Sequence, residues 1–340
     1  MSEDIFNNII SVNNLFLAFK EFKKGKSKKP GVRLFESDLR NNILKINNLL
    51  MSKKWIPDPY ISFYVKDPKL RHIHKASVRD RVLNQAVFRI LYRIFDKSFI
   101  FDSYSSRINK GTHGAVFRLS DFIRKESNNY KLNVFALKCD IRKFFDNISH
   151  DILLDLIENK ITGKDALWLI ACIVKSFEKY PGKGIPLGNV TSQLFANIYL
   201  NELDQFIKHV LKVKYYIRYC DDFVILSKDE DYLKNIIEKI GCFLNNNLEL
   251  GLHSNKIIIK RVNRGIDFLG YVAFYHHRTL RTKTKRRMIK KIILRKKQFK
   301  SGIINYESFN QTLNSYFGVL KHCKGFKIKK EILKITLDKR

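Results

Sequence analysis

Asp140, Asp221 and Asp222 are the residues of this chain whose setting suggests chemistry. Asp140 ends the short, mostly apolar run Val134 to Cys139. Asp221 and Asp222, with Cys220, separate two β-rich runs, Tyr215 to Tyr219 and Phe223 to Leu226, as the tip of an expected hairpin. Strand ends converging in one sheet would bring the three carboxylates together. Such a cluster repels itself unless a cation neutralises it, and hard oxygen ligands suit Mg²⁺ or Mn²⁺. Two such ions, about 4 Å apart, could activate a 3′-hydroxyl and stabilise a leaving pyrophosphate. Taken alone, paired acids between two strands are equally ordinary turn chemistry.

The acids stand out against what surrounds them. The 340 residues include 65 Lys or Arg and 32 Asp or Glu, a formal charge of +33. An excess of that size calls for a polyanion, either nucleic acid or an anionic membrane. A general lysine bias would spread the charge evenly, whereas here it gathers in Lys20 to Arg33, Lys69 to Arg81 and Arg278 to Lys300. The last segment holds twelve basic residues and no acid. With 45% hydrophobic and 13% aromatic residues, global disorder is excluded. The length suggests about two lobes at roughly 150 residues per domain. The longest apolar run, Ala166 to Val174, is about half of the roughly 20 residues a membrane span needs. The opening Met1-Ser2-Glu3-Asp4-Ile5 has no basic segment followed by an apolar stretch, so no secretory leader is expected. The five cysteines are odd in number and widely spaced, which supports neither a disulfide framework nor a zinc site. A reducing cytoplasmic location is the expectation.

Several elements are needed to hold these residues. Helical spacing over the first 50 residues predicts a helix, a flexible basic loop over Lys20 to Arg33, and a second helix from about Ser37 to Leu50. Trp55 to Arg81 reads as an extended hairpin, and Asp80 to Ile100 as an amphipathic helix with Val82, Ala86, Ile90 and Ile94 on one face. Ser149 is placed to cap a helix carrying Ile152, Leu153, Leu156 and Ile157. Gln193 to Lys212 predicts another helix. Arg278 to Lys300 predicts one with a basic face over an apolar seam of Met288, Ile292 and Phe299, followed by helix to Arg340. Tyr316, Phe317 and His322 read as packing residues.

The order of motifs along the chain resembles the reverse transcriptase family. Tyr219-Cys220-Asp221-Asp222 is similar to the YxDD hairpin, and Asp140-Ile141 through Phe144-Phe145-Asp146 to the first palm motif. Gly184 to Gln193 occupies the place of the Q-G-x-x-x-S-P segment. Lys69-Leu70-Arg71-His72-Ile73 with Arg79-Asp80-Arg81 is similar to the fingers motif, and Ser103-Tyr104 through Arg107 to the S-Y-x-x-R block. Gly251 to Lys256 and Phe268-Leu269-Gly270 sit where the family has its motif D lysine and primer grip. The blocks cover about residues 55–275.

The resemblance implies an α+β right-hand fold: an N-terminal extension and fingers over 1–130, a ferredoxin-like palm over 131–275, and a basic helical thumb over 276–340. It implies an RNA-directed DNA polymerase with Mg²⁺, or Mn²⁺, held by Asp140, Asp221, Asp222 and the carbonyl of Ile141. Phe145 would exclude the ribose 2′-hydroxyl, and Lys69 and Arg71 would clamp the triphosphate. Leu187 and Gln193 would line the nucleotide site, with Lys256 donating a proton. Arg278, Arg281, Lys285, Arg286 and Lys290, with the Phe268-Leu269-Gly270 grip, would hold the RNA–DNA duplex. Template RNA and dNTPs are the expected partners, and no membrane is.

Two departures refine the resemblance. Leu187 stands where most of the family carries Gln, and Gln193 replaces the following Pro. The string from Ile185 to Asp204 is similar to the reverse transcriptases of diversity-generating retroelements. Those enzymes misincorporate opposite adenine and work with a small basic accessory protein. A defence-system or retron enzyme is the first rival, and a non-catalytic RNA-binding scaffold is the rival from another class. An intron-encoded protein is disfavoured because little chain follows the expected thumb.

Overall fold

The computed structural model describes residues 4–66 and 70–337. Up to Met51 it is helical: α1 (Ile5–Ile10), α2 (Val12–Lys23), α3 (Pro30–Ser37) and α4 (Leu39–Met51). The expected flexible loop over Lys20 to Arg33 is therefore mostly helix. Pro30 at the first position of α3 explains this, because its fixed φ suits a first turn and its missing N–H is not needed there. An antiparallel hairpin pairs β1 (Ile61–Val65) with β2 (Arg71–Lys75), and α5 (Val78–Phe95) follows. Ser77 caps α5 by accepting from the Asp80 N–H, and Asp80 lies in the first turn, where its charge suits the helix dipole. Val82 and Ala86 are buried, and Ile90 and Ile94 pack at the edge of the core.

After α6 (Thr112–Glu126) the chain runs through β3 (Phe135–Asp140), α7 (Phe144–Asn147), α8 (His150–Glu158), α9 (Lys164–Val174) and α10 (Val190–Gln205). Ser149 occupies the N-cap position of α8 but its hydroxyl makes no capping bond. The helix expected over Gln193 to Lys212 ends as α-helix at Gln205 and continues as a π-turn over Phe206–Val210. The hairpin β4 (Tyr215–Tyr219) and β5 (Asp222–Ser227) leads to α11 (Glu230–Leu248) and β6 (Ile258–Arg261). These strands form an antiparallel sheet in the order β4-β5-β3-β6. Both faces are covered, and the period-2 alternation of side chains decides which residue goes where. Leu137, Cys139, Tyr216, Phe223 and Ile225 join the core shared with α1–α5 and α8–α11. Ala136, Ile217, Val224 and Leu226 join a second core with α6 and the C-terminal elements.

Those elements are a small antiparallel sheet of β7 (Ile266–Phe268), β8 (Tyr271–Ala273) and β9 (Arg278–Leu280), then α12 (Thr282–Lys300), α13 (Tyr306–Leu320) and α14 (Phe326–Leu337). The basic segment thus begins as strand and not helix. Met288 and Ile292 form the buried seam of α12, while Phe299 is half-exposed and stacks on Phe309 with ring centroids 5.6 Å apart.

Candidate active site

The sheet register brings the acids together. Asp140, the last residue of β3, lies opposite Asp222, the first of β5, and Asp222 in turn pairs with Tyr219 across the hairpin. Cys220 takes a left-handed φ of 56° to close that hairpin. The Ile141 N–H donates to the Asp221 carbonyl (3.1 Å) and the His253 N–H to the Asp140 carbonyl (2.8 Å). The tip, the β3 end and the loop before Lys256 are thereby locked into one corner.

Two lysines offset part of the carboxylate charge. Lys256 Nζ lies 2.5 Å from Asp140 Oδ1, and Lys138 Nζ lies 3.3 Å from Asp222 Oδ2 while donating to the Asp267 carbonyl (2.8 Å). Burial pushes the Asp222 carboxyl up to about 6, a rise that Lys138 opposes and that Asp140 and Asp221 reinforce. Burial also raises Asp221, with the Asp140 charge adding to it. Asp222 Oδ1 is buried without a hydrogen-bond partner. Among the described residues no three His, Cys, Asp or Glu side chains form a ready ligand set. The lysine ammoniums occupy one oxygen each of Asp140 and Asp222. A hard divalent cation fits the donor chemistry: three carboxylates that disfavour one another's charge, one of them with an orphaned buried oxygen.

The acids open into a cavity of about 560 Å³. Arg71, Phe145, Leu187, Gln193, Lys256 and Leu269 line the same cavity, so sites spread over nearly 200 residues converge there. Phe145 packs edge-on against buried Phe144, centroids 5.4 Å apart. Leu187 is anchored through its carbonyl, which accepts from the His74 N–H of β2 (3.4 Å). Lys69 lies outside the described residues.

The expected duplex contacts divide. Leu269 and Gly270 form the β7–β8 turn, both at positive φ. Phe268, by contrast, is 1% exposed and points into the second core, so it supports the turn and cannot touch nucleic acid. Arg278 is engaged within the chain. It lies in β9, where Nε donates to the His322 carbonyl (3.2 Å), Nη1 to Ser120 Oγ (2.9 Å), and the guanidinium sits over the Phe117 ring. Arg281 pairs with Asp267 (2.7 Å) and Lys285 with Glu331 (2.9 Å). Arg286 and Lys290 are exposed on α12.

Sequence reasoning missed Lys138 and Arg218. Each interrupts an otherwise apolar or aromatic strand, a signal that was legible beforehand. Arg218 is fully buried on β4, two residues before Cys220 at the hairpin tip.

Residues 65–273 match the family model described as reverse transcriptase (RNA-dependent DNA polymerase). Curated relatives include the protein YkfC of Escherichia coli strain K12, 25% identical over 266 residues, covering 65% of this chain and 68% of that protein. They include the group II intron-encoded protein LtrA of Lactococcus lactis subsp. cremoris, 26% identical over 288 residues, covering 64% of this chain and 47% of that one. A putative COX1/OXI3 intron 2 protein of Saccharomyces cerevisiae is 23% identical over 263 residues, covering 59% and 30%. The chain thus spans between 30% and 68% of the length of these relatives. Two of these three relatives are intron proteins. Among solved structures, an apo telomerase from Candida tropicalis truncated from its C-terminal domain matches with a TM-score of 0.50 at 14% identity, covering 71% of this chain and 60% of that one. That likeness concerns the fold alone and agrees with the right-hand polymerase arrangement.

Proposed function

The chain belongs to the reverse transcriptase family, and on that premise we propose that it is an RNA-directed DNA polymerase whose chemistry is carried by Asp140, Asp221 and Asp222. The observation that carries the reading is the register that sets Asp140 against Asp222 at the mouth of the cavity, with one Asp222 oxygen unpartnered. Mg²⁺, or Mn²⁺, held there with the Ile141 carbonyl would activate a primer 3′-hydroxyl and neutralise the departing pyrophosphate. Arg71 engages phosphate oxygens of an incoming dNTP, and Phe145 sets a ring against the sugar where a 2′-hydroxyl would clash. Lys256 leaves Asp140 to serve the pyrophosphate. The Leu269–Gly270 turn supports the primer, and Arg286 and Lys290 meet the backbone of the RNA–DNA duplex, a contact that weakens steeply with salt.

Leu187 supports a finer reading. It lines the nucleotide cavity with a side chain that cannot hydrogen-bond a base or sugar edge. A pair held by shape alone is positioned loosely, which favours error-prone copying of the diversity-generating kind, with a small basic accessory protein as partner.

Primer extension on an RNA template with Mg²⁺ is the test. Wild type extends with dNTPs, and Asp221→Ala abolishes extension. Extension by Asp221→Ala at the wild-type rate overturns the site assignment, and no extension by wild type favours a non-catalytic RNA-binding scaffold.

A further inference from the structure

A second cavity, of about 370 Å³, lies at the end of the palm opposite the carboxylates. β3 carries Asp140 at its far end and begins beside Val134, whose N–H donates to Tyr275 Oη in the wall of this cavity (3.0 Å). Six residues of strand at about 3.3 Å each separate the two places by roughly 20 Å. The walls come from Tyr130 before β3, the β8–β9 turn, and the turn between α13 and α14.

Its lining combines paired rings with cations. Tyr130 packs against His276 with centroids 4.4 Å apart, and Phe274 stacks on His277 at 4.8 Å and 14°. Arg278, Lys321 and Lys324 line the cavity, and no Asp or Glu does. Lys321, Lys324 and His276 are exposed. The Arg278 guanidinium has a carbonyl, a hydroxyl and a ring for partners, but no carboxylate among the described residues. Aromatic rings, one pair stacked and one tilted at 59°, beside unneutralised cations match an unpaired nucleotide, whose base stacks and whose phosphate is anionic. An acidic peptide would satisfy the cations and leave the rings unused. The volume lies within the roughly 300–1,000 Å³ of ligand pockets.

We propose that this cavity is a second RNA-binding site, which takes an unpaired nucleotide of RNA outside the catalytic cleft, its base against the Tyr130–His276 pair and its phosphate toward Lys321 and Lys324. The choice of RNA over DNA rests on the polymerase reading; the existence of the site does not.

The test is photocrosslinking of a single-stranded oligoribonucleotide carrying 5-iodouridine to the full chain, with the cleft blocked by excess unlabelled RNA–DNA primer–template. Crosslinked peptides are mapped by mass spectrometry. Crosslinks at Tyr130 or His276 are expected to survive the block and to fall at least about ten-fold in the doubly substituted Lys321→Glu, Lys324→Glu chain. That chain should keep wild-type thermal stability and extension of a short primer–template, since both lysines are exposed and remote from the carboxylates. Crosslinks that vanish with the block assign the cavity to the path of the duplex and overturn the proposal, as do crosslinks indifferent to the charge reversal. Equal crosslinking of an oligodeoxynucleotide overturns the preference for RNA. Crosslinking that holds while extension fails would sink the polymerase reading and leave the site in place.

Discussion

The guanidinium of Arg218 lies wholly buried against the carboxylate of Asp204, Nε 2.7 Å from Oδ1 and Nη2 2.5 Å from Oδ2. Tyr216 donates its hydroxyl to the same Oδ1 (2.7 Å), and Arg218 also donates to Ser103 Oγ (3.2 Å) and the Cys220 carbonyl (3.1 Å). The pair therefore joins α10 to β4 and reaches the hairpin tip next to Asp221. Removing one partner leaves a buried charge uncompensated, which costs about 3–5 kcal/mol, while replacing both by apolar residues can be close to neutral. Arg218→Met should lose about that much in chemical denaturation, and adding Asp204→Leu should recover a large part of it. Equal stability of the single variant and wild type would show that the pair contributes little.

Lys256 competes for the oxygen that a divalent cation would take. Lys256→Met should lower the Mg²⁺ concentration that half-saturates primer extension, because no ammonium has to be displaced from Asp140. If Lys256 also donates a proton, kcat falls by about 10²–10⁴. A Mg²⁺ titration that does not move removes the competition argument.

Phe145 should govern the choice of sugar. Phe145→Val opens the cavity beneath the ribose, so the preference for dNTP over rNTP, read as the ratio of kcat/KM values, should fall about 10- to 200-fold, the range that small steric changes produce. An unchanged ratio would mean the ring serves only to pack against Phe144.

Leu187 should govern accuracy. Leu187→Gln adds a hydrogen-bonding edge within the same cavity and should reduce misincorporation opposite template adenine by several-fold, measured by sequencing cDNA made from an A-rich RNA. Wild-type copying that is already accurate, and indifferent to the change, would defeat the error-prone reading.

Burial pushes the Cys139 thiol up to about 12, with Asp222 and Asp140 adding to the rise, whereas Cys242 is exposed. At pH 8 only about one part in 10⁴ of Cys139 is thiolate, so iodoacetamide should label Cys242 and spare Cys139 in the native chain. The folded state keeps this proton, so the burial costs no stability below the ordinary thiol value of 9.0. Stability is lost as pH rises from there toward 12, where the unfolded thiol ionises first. Rapid labelling of Cys139 at pH 8 would mean that β3 opens readily.

What the sequence by itself determined was local. Alternating side chains and a two-acid tip define β3, β4 and β5 and hence the three carboxylates, because a strand's period of two is written in consecutive residues. Motif order was enough to identify the family. The basic run after residue 278 was legible as charge, but not as strand and helix, because the role of each base depends on a partner elsewhere: Asp267 for Arg281, Glu331 for Lys285, Ser120 for Arg278. The same alternation that locates Asp140 sends Phe268 inward, yet which face of a three-residue strand is buried is settled only by what packs on it. Tertiary structure alone decided that Lys138 meets Asp222, that Arg218 meets Asp204, and that residues 130, 276 and 324 share one cavity. These are encounters between segments far apart in the chain, made when two faces of one sheet are each closed by a core, and no spacing along the sequence encodes them.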